Sequence, residues 1–188
     1  RRAQHRTALL TAWPASKGVV ATVIARPILP LPQTLLLDHG ARQGVSLSTV
    51  ILNADGVVGR VIDVFPSACL VQLVTDPDSR VAALVERSRE TGLLIGRGRG
   101  VCELIYLDAE ADVREGDRVL TAGLGGSFPK GLRLGTVARV VREAETGMAS
   151  ATVVPAARLG RVEDVLCLLQ QPVVSPPRLS SEGGRGGQ

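Results

Sequence analysis

Aromatic residues are almost missing from this sequence: Trp13, Phe65, Tyr106 and Phe128 amount to 2% of its 188 residues. That scarcity removes the repeated stacking platform that single-stranded nucleic acid or sugar binding relies on. Histidine is as rare, with only His5 and His39, so a Ser-His-Asp triad has little to draw on and a metal site lacks its commonest ligand. His5 lies in an N-terminal stretch of helical character, and His39 sits in Asp38-His39-Gly40, a turn where a solvated imidazole is expected. Cys69, Cys102 and Cys167 are far apart and form no CxxC pair, which excludes a zinc ribbon and argues against a disulfide framework. Each lies in an apolar run and reads as a small buried hydrophobe, with a Cys102–Cys167 bridge left open. No apolar run approaches the roughly 18–20 residues needed to cross a bilayer. The opening Arg1-Arg2-Ala3-Gln4-His5-Arg6 has neither Met nor a signal peptide, so any membrane anchor is expected ahead of these residues.

What is present is Val, Leu, Ile and Ala within a 45% apolar composition, cut by 21 Gly and 11 Pro. Such a mixture favours short strands and tight turns over long helices. The net charge of +4 comes from Lys and Arg that are scattered, not striped, so a nucleic-acid partner is not expected. Apolar runs at Val19–Ala25, Gln33–Asp38, Ser48–Leu52, Val57–Val64, Cys69–Val74 and Arg80–Val85 are separated by turn signals at the spacing of a small β-barrel.

The second half repeats this plan. Gln33–Asp38 followed by Gly44 matches Glu103–Asp108 followed by Gly116, Val57–Val61 matches Arg133–Val137, and Arg80–Val85 matches Arg161–Leu166. Ordered repeats of this kind point to a duplicated unit. The expected fold is all-β, with two small related β-barrels of the six-stranded type. The expected division is 1–16 as the end of a helical or coiled-coil linker, 17–86 as the first barrel, 87–170 as the second and 171–188 as a disordered Pro/Gly/Ser-rich tail. The final strand, Val162–Leu169, either closes the second barrel or returns to the first, so the barrels are sequential or nested.

A double barrel brings a trypsin-like hydrolase to mind, but no usable histidine accompanies it. In Gly123-Leu124-Gly125-Gly126-Ser127 the glycines precede the serine, and the Gly after it that a nucleophile elbow needs is missing. Gly96-Arg97-Gly98-Arg99-Gly100 lies between strands and opens no helix, so it reads as a hairpin and not a phosphate loop. Asp108, Glu110 and Asp112 read as a solvated acidic turn. No catalytic residue, metal site or cofactor is expected. One peculiar stretch remains, Gly123–Gly131, where four glycines and Pro129 frame Leu124 and Phe128. Either Phe128 is tucked into a barrel mouth, which is favoured, or Leu124, Phe128 and Pro129 form a partner-contact loop.

Four ordered segments carry a family resemblance. Val23-Ile24-Ala25-Arg26 with Gln33–Gly40, Asp55-Gly56-Val57-Val58-Gly59-Arg60-Val61, Leu73-Val74-Thr75-Asp76-Pro77-Asp78-Ser79-Arg80-Val81, and Gly116–Leu132 together resemble the extracytoplasmic core of the MreC rod-shape family over roughly residues 19–170. Ala122 stands where that family often has Ser. The resemblance implies a periplasmic domain of a single-pass inner-membrane protein without enzymatic activity. It also implies a scaffold of the cell-elongation machinery that self-associates and works with MreB, MreD and a class B penicillin-binding transpeptidase. Membrane contact would come only through an N-terminal anchor. A cell-wall-polymer-binding module is the competing non-enzymatic reading.

Overall fold

Short β-branched runs broken by glycine, proline and Asp/Asn turns can form strands but not long helices, and twelve strands account for about half of the described chain. The computed structural model describes residues 4, 7–9, 11, 17–27, 33–126 and 128–169. The strands are β1 (Gly18–Ala25), β2 (Thr34–Leu37), β3 (Val50–Leu52), β4 (Val57–Val64), β5 (Cys69–Leu73), β6 (Arg80–Val85), β7 (Thr91–Gly96), β8 (Cys102–Asp108), β9 (Arg118–Thr121), β10 (Arg133–Glu143), β11 (Met148–Pro155) and β12 (Asp164–Leu168). They close into two six-stranded antiparallel barrels, ordered β1-β12-β3-β4-β5-β2 and β10-β11-β8-β7-β6-β9. Gln4, Thr7–Leu9 and Thr11 are helical. The rest of the expected N-terminal helix and the expected tail fall outside the described residues.

Advancing every strand of the first ring by six, with β12 replaced by β6, reproduces the order of the second ring. The two halves are therefore the same barrel, with the sixth strand of each exchanged for the other's. β6 leaves the first half to pair with β7 and β9, and β12 returns to pair with β1 and β3. Barrel membership thus departs from the expected division between residues 86 and 87, and the barrels are nested. Equivalent strands also share their irregularities. A bulge follows Val61 in the β4–β5 ladder and Val137 in the β10–β11 ladder. Gly59 and Gly135 occupy equivalent positions, where a Cβ would lie 1.9 Å from the Gln72 carbonyl oxygen and 2.2 Å from that of Val154.

Registers correct three of the expected repeat alignments. Val71 and Val153, the partners of Val61 and Val137, lie opposite Leu35 and Cys102 respectively. Leu37 therefore corresponds to Leu104 and not to Leu107. The partner of Gly116 is Ser48 and not Gly44: both have positive φ, 86° and 67°, and donate their N–H to Val137 O at 2.8 Å and Val61 O at 2.9 Å. Leu166 lies opposite Leu52 and Leu84 opposite Leu120, so β6 and β12 align one residue away from the Arg80–Arg161 match.

Alternation along each strand assigns its faces. Ile51, Val58, Val165 and Cys167 fill the first barrel, while Val50, Leu52, Val57 and Leu166 point out of it and join the core of the second. Leu159, in the return crossing, packs against both cores. The outward crossing is held by Asp76, whose carboxylate accepts from Gln33 N at 2.7 Å, Asp78 N at 2.9 Å and Gln72 Nε2 at 3.3 Å. Thr75 donates its hydroxyl to the Gln33 side chain. The Gly96–Gly100 segment forms the β7–β8 hairpin and lies on this crossing, with Gly98 N donating to Thr75 O at 2.8 Å.

Candidate functional site

The glycine-rich loop between β9 and β10 is built around Thr121, a fully buried residue at the end of β9. Its hydroxyl donates to Pro129 O at 2.5 Å and accepts from Leu132 N at 2.8 Å. The Thr121 backbone also pairs with Gly131 and Leu132. Gly123, Gly125, Gly126 and Gly131 all have positive φ, a conformation open to glycine at little cost. At Gly123 space is also limiting, because a Cβ would sit 2.7 Å from that of Lys130. The result is a closed loop that turns its two large apolar residues opposite ways. Phe128 is 8% exposed and belongs to the second barrel's core, whereas Leu124 is 66% exposed and Pro129 is also on the surface. Ser127 lies outside the described residues.

Asp38, His39 and Asp112, three of the titratable groups that the sequence singles out, are engaged in the structure. His39 Nδ1 lies 2.7 Å from Asp38 Oδ1, which also accepts from Thr22 N at 2.8 Å. Burial pushes the Asp38 carboxyl up, but the Thr22 N–H and His39 outweigh it and leave its pKa below the ordinary value. His5, the other candidate, lies outside the described residues. In the acidic turn Asp112 is taken by arginine: Arg87 reaches it at 2.7 and 3.0 Å and also grips Asp117 at 2.8 and 2.9 Å, while Arg114 adds 3.1 Å to Asp112. The Arg87 hydrogen bonds hold both carboxyls below the ordinary carboxylate range. Among the described residues no group of His, Cys, Asp and Glu is arranged to hold a metal ion.

All three cysteines are free and buried. Cys102 lies in the second core, its thiol 3.3 Å from Val74 O, while Cys69 and Cys167 share the first core. The Cys102–Cys167 bridge left open by the sequence is not formed. Burial pushes Cys69 up to about 11 and both Cys102 and Cys167 up to about 12, so the thiols stay protonated at neutral pH and are poor nucleophiles.

An exposed row on the second barrel was not anticipated. Leu104 and Leu107 both point inward, opposite Ala151 and Ala149, so the two residues between them form a bulge opposite Ser150. One of these is Tyr106, 67% exposed with φ of 63°. Ser150 in turn faces Val141, and the neighbouring Met148 is flanked by Asp108 and Glu143. The sequence signal was the three-residue spacing of the inward leucines, where a strand requires two.

Comparison with known proteins places this architecture. The barrel-core model of the MreC rod shape-determining proteins matches residues 23–169. The cell shape-determining protein MreC of Caulobacter vibrioides is 34% identical over 119 residues, which is 63% of this chain and 34% of that protein. A crystal structure of MreC from Pseudomonas aeruginosa superposes with a TM-score of 0.78 at 31% identity, covering 81% of this chain and 99% of that one. MreC from Helicobacter pylori, solved in complex with the penicillin-binding protein PBP2, shares the fold with a TM-score of 0.62 at 17% identity, over 82% of this chain and 100% of that one. The chain spans about a third to just over half of the length of the curated relatives it matches.

Proposed function

The chain belongs to the MreC family of rod shape-determining proteins, and from that premise we propose that it is a non-catalytic scaffold of the cell-elongation machinery. In this reading it maintains rod shape by self-associating and by organising wall-synthesis proteins outside the membrane. The observation that carries it is the exchange of β6 and β12, which ties the two barrels together by hydrogen-bonded ladders and so fixes the surfaces they present relative to one another. A scaffold depends on such persistence, because its partners are positioned only as well as its faces are. We assign one partner contact to the β9–β10 loop: Leu124 and Pro129 are presented outward, and Phe128 anchors the loop from inside. A class B penicillin-binding transpeptidase is the partner this loop serves, a reading supported by the PBP2 complex of the H. pylori relative. In the same reading the full-length protein also works with MreD and MreB as partners and reaches the membrane only through an N-terminal anchor.

The test is binding of the purified chain to the periplasmic part of a class B transpeptidase. Leu124→Ser is expected to weaken binding at least about tenfold, as for a central apolar anchor, with unchanged thermal melting. Unchanged affinity removes the loop from the contact. Retention of the chain on purified peptidoglycan in preference to the transpeptidase favours the polymer-binding reading, and labelling by a serine-reactive fluorophosphonate overturns the non-catalytic one.

A further inference from the structure

The outer face of the first barrel carries a row of apolar side chains on the side turned away from the second barrel. In the first ring β12, β3 and the first residue of β4 supply the outward Leu166, Val50, Leu52 and Val57 that enter the second core. β5 and β2 therefore lie on the far side of the barrel, and the end of β4 that carries Ile62 leads onto it. Registers set the row strand by strand. Ile62, in the β4 bulge with Asp63, lies opposite Leu70 on β5; Leu70 faces Leu36 on β2; and Leu36 faces the β1 bulge holding Ile24 and Ala25. Ile24 is 56% and Ile62 41% exposed, with Leu36 and Leu70 half-buried between them. With neighbouring strands about 4.8 Å apart, the band runs about 14 Å across four strands. Singly scattered exposed leucines are ordinary, whereas contiguous exposed apolar patches mark interaction sites.

The charges beside it identify what it meets. Asp38 is taken by Thr22 N and His39, and the Arg26 guanidinium by the carbonyls of Leu159 and Val162. Arg60 and Asp63 remain, without an ion pair among the described residues, on either side of Ile62 along β4, with Asp63 Oδ1 accepting from the adjacent Val64 N at 2.9 Å. One charge of each sign, on opposite sides of an apolar centre, does not complement a surface of a single sign. It complements itself: a twofold axis running along the band sets β4 antiparallel to the β4 of another copy, and each Arg60 meets the other's Asp63. We propose that this band is the contact between two copies of the chain, an isologous interface of Ile24, Leu36, Leu70 and Ile62 keyed by reciprocal Arg60–Asp63 pairs. The proposal rests on the self-association read above and names the surface that performs it.

Sedimentation velocity of the whole chain over a range of concentration tests it. The unmodified chain is expected to dimerise, and the Ile24→Ser/Ile62→Ser double variant to remain monomeric with a cooperative melt. Arg60→Asp and Asp63→Arg each juxtapose like charges twice in a symmetric dimer, so each should weaken association at least about tenfold. Their equimolar mixture should recover it, because a mixed dimer has opposite charges at both contacts. If the unmodified chain dimerises and the variants do so equally, the band is rejected while self-association stands. If the unmodified chain is a monomer throughout, the self-association reading falls, and this proposal with it.

Discussion

Thr121 shows how much one buried hydroxyl can organise. It closes a loop of positive-φ glycines at both ends, on Pro129 O and Leu132 N. Thr121→Val keeps the shape and leaves these two backbone groups without a partner, so the expected loss is about 1–3 kcal/mol in denaturant unfolding, with Thr121→Ser much milder. Arg87 offers a second test. Its hydrogen bonds hold the Asp112 and Asp117 carboxyls below their ordinary range, so the folded state binds protons less readily than the unfolded chain. The resulting stability is complete above the unfolded carboxylate pKa, about 3.9, and disappears as pH falls through the lower folded values. Arg87→Gln should therefore melt below the unmodified protein at pH 7, and the gap should narrow on acidification. A gap independent of pH would contradict this. At this scale the sequence was legible where composition speaks directly. The lone aromatic framed by glycines reads as a tucked anchor, and the cysteines in apolar runs read as buried. It was silent on Thr121, because nothing about a threonine at a strand end distinguishes a surface hydroxyl from one that joins two sides of a loop. It was also silent on the Arg87 contacts, which join residues 25 and 30 positions apart in the chain.

Strand positions were largely readable, because β-branched runs and Asp/Pro/Gly turns mark them locally. The repeat was readable too, yet its registers were wrong by one residue at β12 and by three at β8. Both strands consist of near-continuous apolar residues, so alternation gives no fixed phase and only the pairing partner can set it. Ownership of β6 and β12 was beyond any local signal, since both rings offer them the same two neighbours in the same order. The exchange has a consequence for stability. Residues 17–86 contain β6 but lack β12, so that segment expressed alone should lack the native packing. It either stays open or closes on β6 in the place of β12, and in both cases Val50, Leu52 and Val57 lose the second core they pack against, with 87–169 behaving likewise. The two mixed should recover native-like dispersion in nuclear magnetic resonance spectra. Leu166 and Leu52 belong to first-barrel strands but are buried in the second core. Leu166→Ala should therefore cost about 2–5 kcal/mol and lower a single transition shared by both barrels. Two separated transitions would show that the barrels fold independently.

On the scale of the whole molecule, two equivalent barrels have diverged at their surfaces. The row of the first barrel that reads Ile62, Leu70 and Leu36 becomes Ala138 with Arg139, Thr152 and Glu103 in the second. One fold occurs twice, and the exchanged strands hold the differing outer faces in a fixed relation, as the proposed role of organising several partners requires. The measurement that bears most directly on that role is photo-crosslinking from position 124 in the full-length protein within its own cell envelope, followed by identification of what is captured. The account predicts a class B penicillin-binding transpeptidase. Capture of peptidoglycan fragments alone, or of no wall-synthesis protein from a correctly folded and localised chain, would contradict it.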